Sequence, residues 1–158
     1  MKFLFLAALA LAPLTPLPAQ TASPSAAGAI DYSVATPIGG TWTYAPVAGG
    51  SEATFTGPTG QPQVTVRCTR ATRRVSIAKA ATGAAPTISI WTSSGTKAAL
   101  ASYNPATARL TAEFAPFDAT LDAIAFSRGR VAFSAAGSPA LVVPAWAETA
   151  RVIEDCRV

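Results

Sequence analysis

Along most of the chain, apolar and polar residues alternate in short runs. In "QVTVRCT", from Gln63 to Thr69, Val64, Val66 and Cys68 share one face of an extended segment, and Thr65, Arg67 and Thr69 share the other. Comparable runs are "GTWTYAPV", "EATFTG", "RVSIAKA", "PTISIWT", "KAALASY" and "RLTAEFA"; Val131 and Phe133 begin one more inward face, with Arg130 and Ser134 outward. Turn-forming stretches part them: Gly49-Gly50, "GPTGQP", "SSGT" and "NPAT". Strand-like runs at intervals of about 8–12 residues predict antiparallel pairing rather than βαβ units. The expected fold class is α+β, mainly an antiparallel β-sheet or sandwich of about 6–8 short strands covered by one or two helices. No internal repeat is visible.

Two stretches change the period. "PAWAETARVIEDCRV" reads as a C-terminal helix with Pro144 in its first turn. Trp146, Thr149, Ala150, Ile153 and Cys156 fall on one stripe, and Glu148, Arg151 and Asp155 lie opposite at spacings that allow weak exposed ion pairs. The segment "FDATLDAIAFSRGRVAFSAAG" supports two readings. Asp118 caps a short helix over about 119–126 that Gly129 ends, or "AIAFS" and "RVAFS" are two strands joined at Arg128-Gly129. The helix is preferred, and a place in its first turn suffices to explain Asp118 and Asp122.

The start of the chain follows neither pattern. Lys2 gives a short positive end, Phe3 to Ala12 is an unbroken apolar run, and Pro13, Pro16 and Pro18 lead to small Ala19. This is the three-part pattern of a secretory signal peptide. A bilayer span needs about 20 apolar residues, so the expectation is export, with no transmembrane segment once the signal is removed. No cysteine lies near the cut, which argues against a lipoprotein anchor. The predicted division is a signal peptide at 1–19, a flexible lead-in at 20–37 and one disulfide-stapled β-rich domain at 38–158. Loss of Lys2 lowers the formal charge from +4 to +3, and only 13% of the chain is charged. That balance does not fit a nucleic-acid binder. Periplasmic or secreted localisation is expected.

Export gives the two cysteines, Cys68 and Cys156, an oxidising environment. One points inward from a strand and the other from a helix, so a structural disulfide between them is predicted. No CxxC redox motif occurs. There is no histidine, which removes His-based acid–base catalysis and most zinc sites; no cofactor and no metal is expected. Ser94 and Lys97 in "SSGTK" have the Ser-x-x-Lys spacing of penicillin-recognising enzymes, but the partner elements Ser-Asp-Asn and Lys-Thr-Gly are absent. A polar turn explains the pair more simply.

The densest charge in the chain is "RCTRATRR", with Arg67, Arg70, Arg73 and Arg74. One reading is a site for an anionic ligand or an envelope protein, extended by Arg128 and Arg130 if the fold brings them near. The other is the wet face and tip of a hairpin, and strand parity favours it, since Arg67 and Arg74 lie outward when Val66 and Val75 lie inward.

The pieces "TSSGTKAAL", "LDAIAFSRGR" and "PAWAETARVIEDCR" resemble small exported proteins of sphingomonad-type alphaproteobacteria, over about residues 64–157. More loosely, the layout is similar to the invasion-associated locus B family and to VasI-type accessory proteins of type VI secretion, which pair a strand cysteine with a C-terminal one around a β-rich core. The resemblance implies a fold and a compartment and assigns no residue roles. The expected function is a non-enzymatic cell-envelope module that binds a protein or an anion. The alternatives are an inhibitor of a periplasmic or extracellular hydrolase, or a weak hydrolase using carboxylates or Ser94 and Lys97.

Overall fold

The structure, a computed structural model, describes residues 30–158; the expected signal peptide at 1–19 and the lead-in up to residue 29 lie outside the described residues. Nine strands and two helices follow in the order β1 (Thr41–Val47), β2 (Gly50–Thr56), β3 (Pro62–Thr69), β4 (Arg74–Ala80), β5 (Thr87–Thr92), β6 (Gly95–Asn104), β7 (Arg109–Phe114), α1 (Ala119–Ala125), β8 (Arg130–Ala135), β9 (Ser138–Pro144) and α2 (Ala147–Asp155). All strands belong to one antiparallel sheet in the order β1-β2-β3-β4-β7-β6-β5-β8-β9.

The predicted β-rich α+β class holds, with more strands than expected. The additional one is β9, "SPALVVP", in which Leu141, Val142 and Val143 run without alternation between Pro139 and Pro144. A continuous apolar run carries no period-2 signal. The layers are also not those of a sandwich. The sheet is a single half-barrel, and β6 turns its corner: residues 95–100 pair with β5, and 101–104 pair with β7. The outer strands approach each other as the sheet curls. Ile38 N donates to Val142 O, and Trp42 Nε1 donates to Pro144 O, both at 2.9 Å.

The concave face holds the core, with Phe55, Val66, Ile77, Ile88, Leu110 and Phe133 fully buried. The alternation read in the sequence is therefore the in–out alternation of the sheet, visible in β3 and β4, where every second residue is buried.

The two helices close one end of this half-barrel. The ambiguity at 118–130 resolves as a helix: Asp118 is the N-cap, and its Oδ1 accepts from Thr120 N at 2.8 Å. Phe126 is the C-cap, so Gly129, at φ 76°, shapes the turn into β8 rather than ending the helix. The start of the last helix is corrected as well. Pro144 is the final residue of β9, and α2 begins at Ala147 after Trp146. Its buried stripe is Thr149, Val152, Ile153 and Cys156, and Trp146 is 42% exposed. Contacts to β1 stand where ion pairs within the helix were expected. Arg151 lies 3.9 Å over the Tyr44 ring, and Asp155 accepts from the Tyr44 hydroxyl at 2.7 Å.

The Cys68–Cys156 disulfide fastens the end of α2 to the end of β3, with Cα atoms 5.4 Å apart. Beside it β2 runs close to β3, where only a glycine fits. A Cβ on Gly50 would stand 1.9 Å from the Cys68 carbonyl oxygen.

Candidate functional site

The predicted arginines all lie near the helix-covered end, and most are engaged. Arg67 points outward from β3, 3.4 Å from Glu52, and donates to Ala48 O at 3.2 Å. Arg73 takes a positive φ of 49° in the β3–β4 turn and donates to Arg157 O at 2.7 Å. Arg74 lies 3.8 Å from Glu113, with both side chains exposed. Exposed pairs of this kind are each worth about 0–1 kcal/mol. Arg70 stays in the turn, close enough to Asp155 to help lower its pKa. Arg128 is exposed in the turn before β8, and Arg130 donates to Ala35 O. In the sheet, β7, β6 and β5 stand between β4 and β8, so Arg128 and Arg130 do not extend the same hairpin surface.

A cluster that the sequence did not point to lies between these arginines and the helices. The Asp155 carboxyl is held below the ordinary aspartate range, first by the Ser51 hydroxyl, against the opposing effect of burial, and further by Tyr44, Arg70 and Arg151. The buried Ser51 oxygen makes no hydrogen bond of ordinary geometry among the described residues. Arg157 ties both helices together, donating to Asp122 at 2.6 Å, to Glu154 at 3.0 Å and to Pro116 O at 2.9 Å. These contacts occupy polar groups with one another and leave a structural junction.

The opposite end is chemically different. In β4, Val75 and Ile77 point inward, and so does Lys79, which is only 3% exposed. Lys79 is paired in register with Val64, while Val75 is paired with Cys68. Four residues along a strand place it about 13 Å from the disulfide. Among the described residues it is the only ionisable side chain that is buried in this sense. It lines a cavity of about 420 Å³ whose other walls are Ile38, Gln63, Ala80, Ala81, Thr82, Ala108 and the β9 residues Pro139, Ala140 and Leu141. None of these is acidic. The chain after β4 is anchored to the β8–β9 turn beside the cavity, with Thr82 N donating to Ser138 Oγ at 3.2 Å and Thr82 Oγ1 to Gly137 O at 2.8 Å.

The ammonium of Lys79 donates to Ala80 O at 2.9 Å, the only hydrogen bond it makes among the described residues. An ammonium has three donors. Burial lowers the Lys79 pKa from its usual 10.5, because the charged form has lost water without gaining a carboxylate. Arg109, paired in register with Ala80, lies on the outer face, where it donates to Ala78 O and Pro62 O, each at 3.1 Å. Its pKa is also lowered by burial, with Glu52 opposing the shift.

Ser94 shares its hydroxyl with Thr92 at 3.0 Å in the β5–β6 turn, and Lys97 is exposed on β6. Among the described residues no three His, Cys, Asp or Glu side chains are grouped as metal ligands, and no helix is long and apolar enough to cross a membrane. Comparison with protein-family models, with curated proteins and with solved structures finds no match to this chain.

Proposed function

We propose that this protein is a non-enzymatic binding module of the cell envelope that takes up a small anion, and that its site is the Lys79 cavity rather than the arginine-rich hairpin. The observation that carries this is a buried lysine on the wall of an apolar cavity, with no carboxylate partner among the described residues. Burying an unpaired ammonium is costly, so a position of this kind is a candidate for function. An incoming anion supplies the missing counter-charge and accepts the remaining N–H groups. The hairpin arginines support this site less well, because Arg67, Arg73 and Arg74 already have partners.

Export to the periplasm or beyond is part of the proposal. It is supported by the signal-like pattern of residues 1–19 and is compatible with the disulfide. The binding role is favoured over hydrolysis by the engagement of Ser94 with Thr92 and by the absence of acidic residues from the cavity wall. Calorimetric titration of the exported protein with a panel of inorganic and organic anions tests it. Saturable binding by the native protein and at least tenfold weaker binding by Lys79→Gln is expected. Equal binding by both forms would move the site away from the cavity.

A further inference from the structure

The cavity makes two demands on whatever fills it, and together they narrow the ligand. The first is one negative charge. Among the described residues Lys79 is the single buried cation, and no second positive side chain of theirs lines the walls. A dianion such as phosphate would therefore carry one charge into the interior without a partner, at high cost. The second is an apolar body. Around the lysine the walls are Ile38, Ala81, Ala108, Pro139 and Leu141, with Gln63 and Thr82 as the polar exceptions. Inorganic anions and acetate would leave most of that surface facing water or empty space. The volume, about 420 Å³, lies within the range of small-molecule sites and exceeds what a bare anion fills.

The geometry points to a free monocarboxylate with an aliphatic tail, a medium-chain fatty acid of about six to ten carbons, as the ligand class of this cavity. The carboxylate lies against the Lys79 ammonium and accepts the N–H groups that Ala80 O leaves unused, while the tail covers Ile38 and Leu141. This inference rests on the anion-binding reading above and specifies it. The acyl tail of an intact phospholipid would not serve, because its carboxyl is esterified and carries no charge for Lys79 to meet.

The test is a chain-length series. Acetate, butyrate, hexanoate, octanoate and decanoate are titrated into the exported protein by calorimetry, with phosphate and 1-octanol as controls, and the series is repeated on Lys79→Met. A methylene moved from water to an apolar wall tightens binding about fourfold, so affinity should climb by roughly that factor per carbon until the cavity is full. Octanoate should bind at least tenfold tighter than octanol to the native protein, and that preference should vanish in Lys79→Met, which keeps an unbranched side chain of similar bulk and drops the charge. If acetate or phosphate binds as tightly as octanoate, the acyl specificity is wrong and the anion site survives. If octanol matches octanoate in the native protein, the lysine plays no part and the inference fails. If no anion in the series binds, both readings fail together.

Discussion

Lys79 sits where the in–out rhythm of β4 calls for an apolar residue, and among the described residues it has no partner carboxylate. Its conflict with the core gives a direct stability prediction. Replacing it with methionine should fill the same space and remove the buried charge, raising stability at neutral pH by roughly 1–3 kcal/mol. The sign with pH follows from linkage. The folded-state pKa of Lys79 is lowered from 10.5, so between the lowered value and 10.5 the unfolded chain holds a proton that the folded chain has released. Native stability should rise with pH across that window, and the rise should be lost in Lys79→Met, as urea unfolding at a series of pH values would show. A native protein more stable than the variant at neutral pH would contradict the unpaired state of the lysine. Asp155 acts in the opposite range: its lowered pKa contributes stability that is present above the ordinary aspartate value and lost as pH falls through the folded one.

This residue was legible in principle. The same parity that placed Val75 inward and Arg74 outward puts position 79 inward, and a lysine there breaks the pattern. The arginines are denser and their charge is visible in the sequence, but their partners, Glu52, Glu113 and the Arg157 carbonyl, come from distant segments. Density of charge in a sequence measures exposure more often than function.

At the scale of the elements, local signals served well where the chemistry is local. Asp118 caps α1 through its own side chain, a contact between near neighbours, and it was readable from sequence. Its replacement by alanine should cost about 0.5–2 kcal/mol of global stability in chemical denaturation, with ligand binding at the other end of the half-barrel unchanged. No measurable loss would mean that the cap adds little to the contact of α1 with α2. Elements set by long-range packing were harder. β9 has a continuous apolar run, and its identity as a strand comes from pairing with β8 and from Ile38 meeting Val142. Pro144 closes β9 instead of opening a helix for the same reason, since it is held by β8 on one side and accepts from Trp42 on the other. β6 shows the reverse case: it is an interior strand of the sheet, yet none of its residues is fully buried, and where it turns the corner only Ala99, Ala101 and Tyr103 pack half-buried against the core.

The whole molecule is a half-barrel with two unlike ends. At one end α1 and α2 cover the core, and the disulfide closes a loop with a sequence separation of 88. A closed loop of that length restricts the unfolded chain by about 4–5 kcal/mol in the loop-entropy model. That reserve helps a small domain tolerate an unfavourable group elsewhere, here the buried lysine at the open end. The disulfide and the β-rich class were readable from two cysteines, strand parity and the export pattern. The curl of the sheet and the cavity it leaves were not, because they bring Ile38 and β9 against residues of β3 and β4, which are far apart in the chain.

The most direct measurement of the central claim is the titration of Lys79 itself, followed by NMR at its side-chain ε position in the ligand-free protein and with octanoate present. The Lys79 pKa should lie below 10.5 in the free protein and move upward when the carboxylate is bound, since the anion stabilises the ammonium form. A Lys79 that titrates at its ordinary value and does not respond to octanoate would contradict both the buried, unpaired lysine and the site built on it.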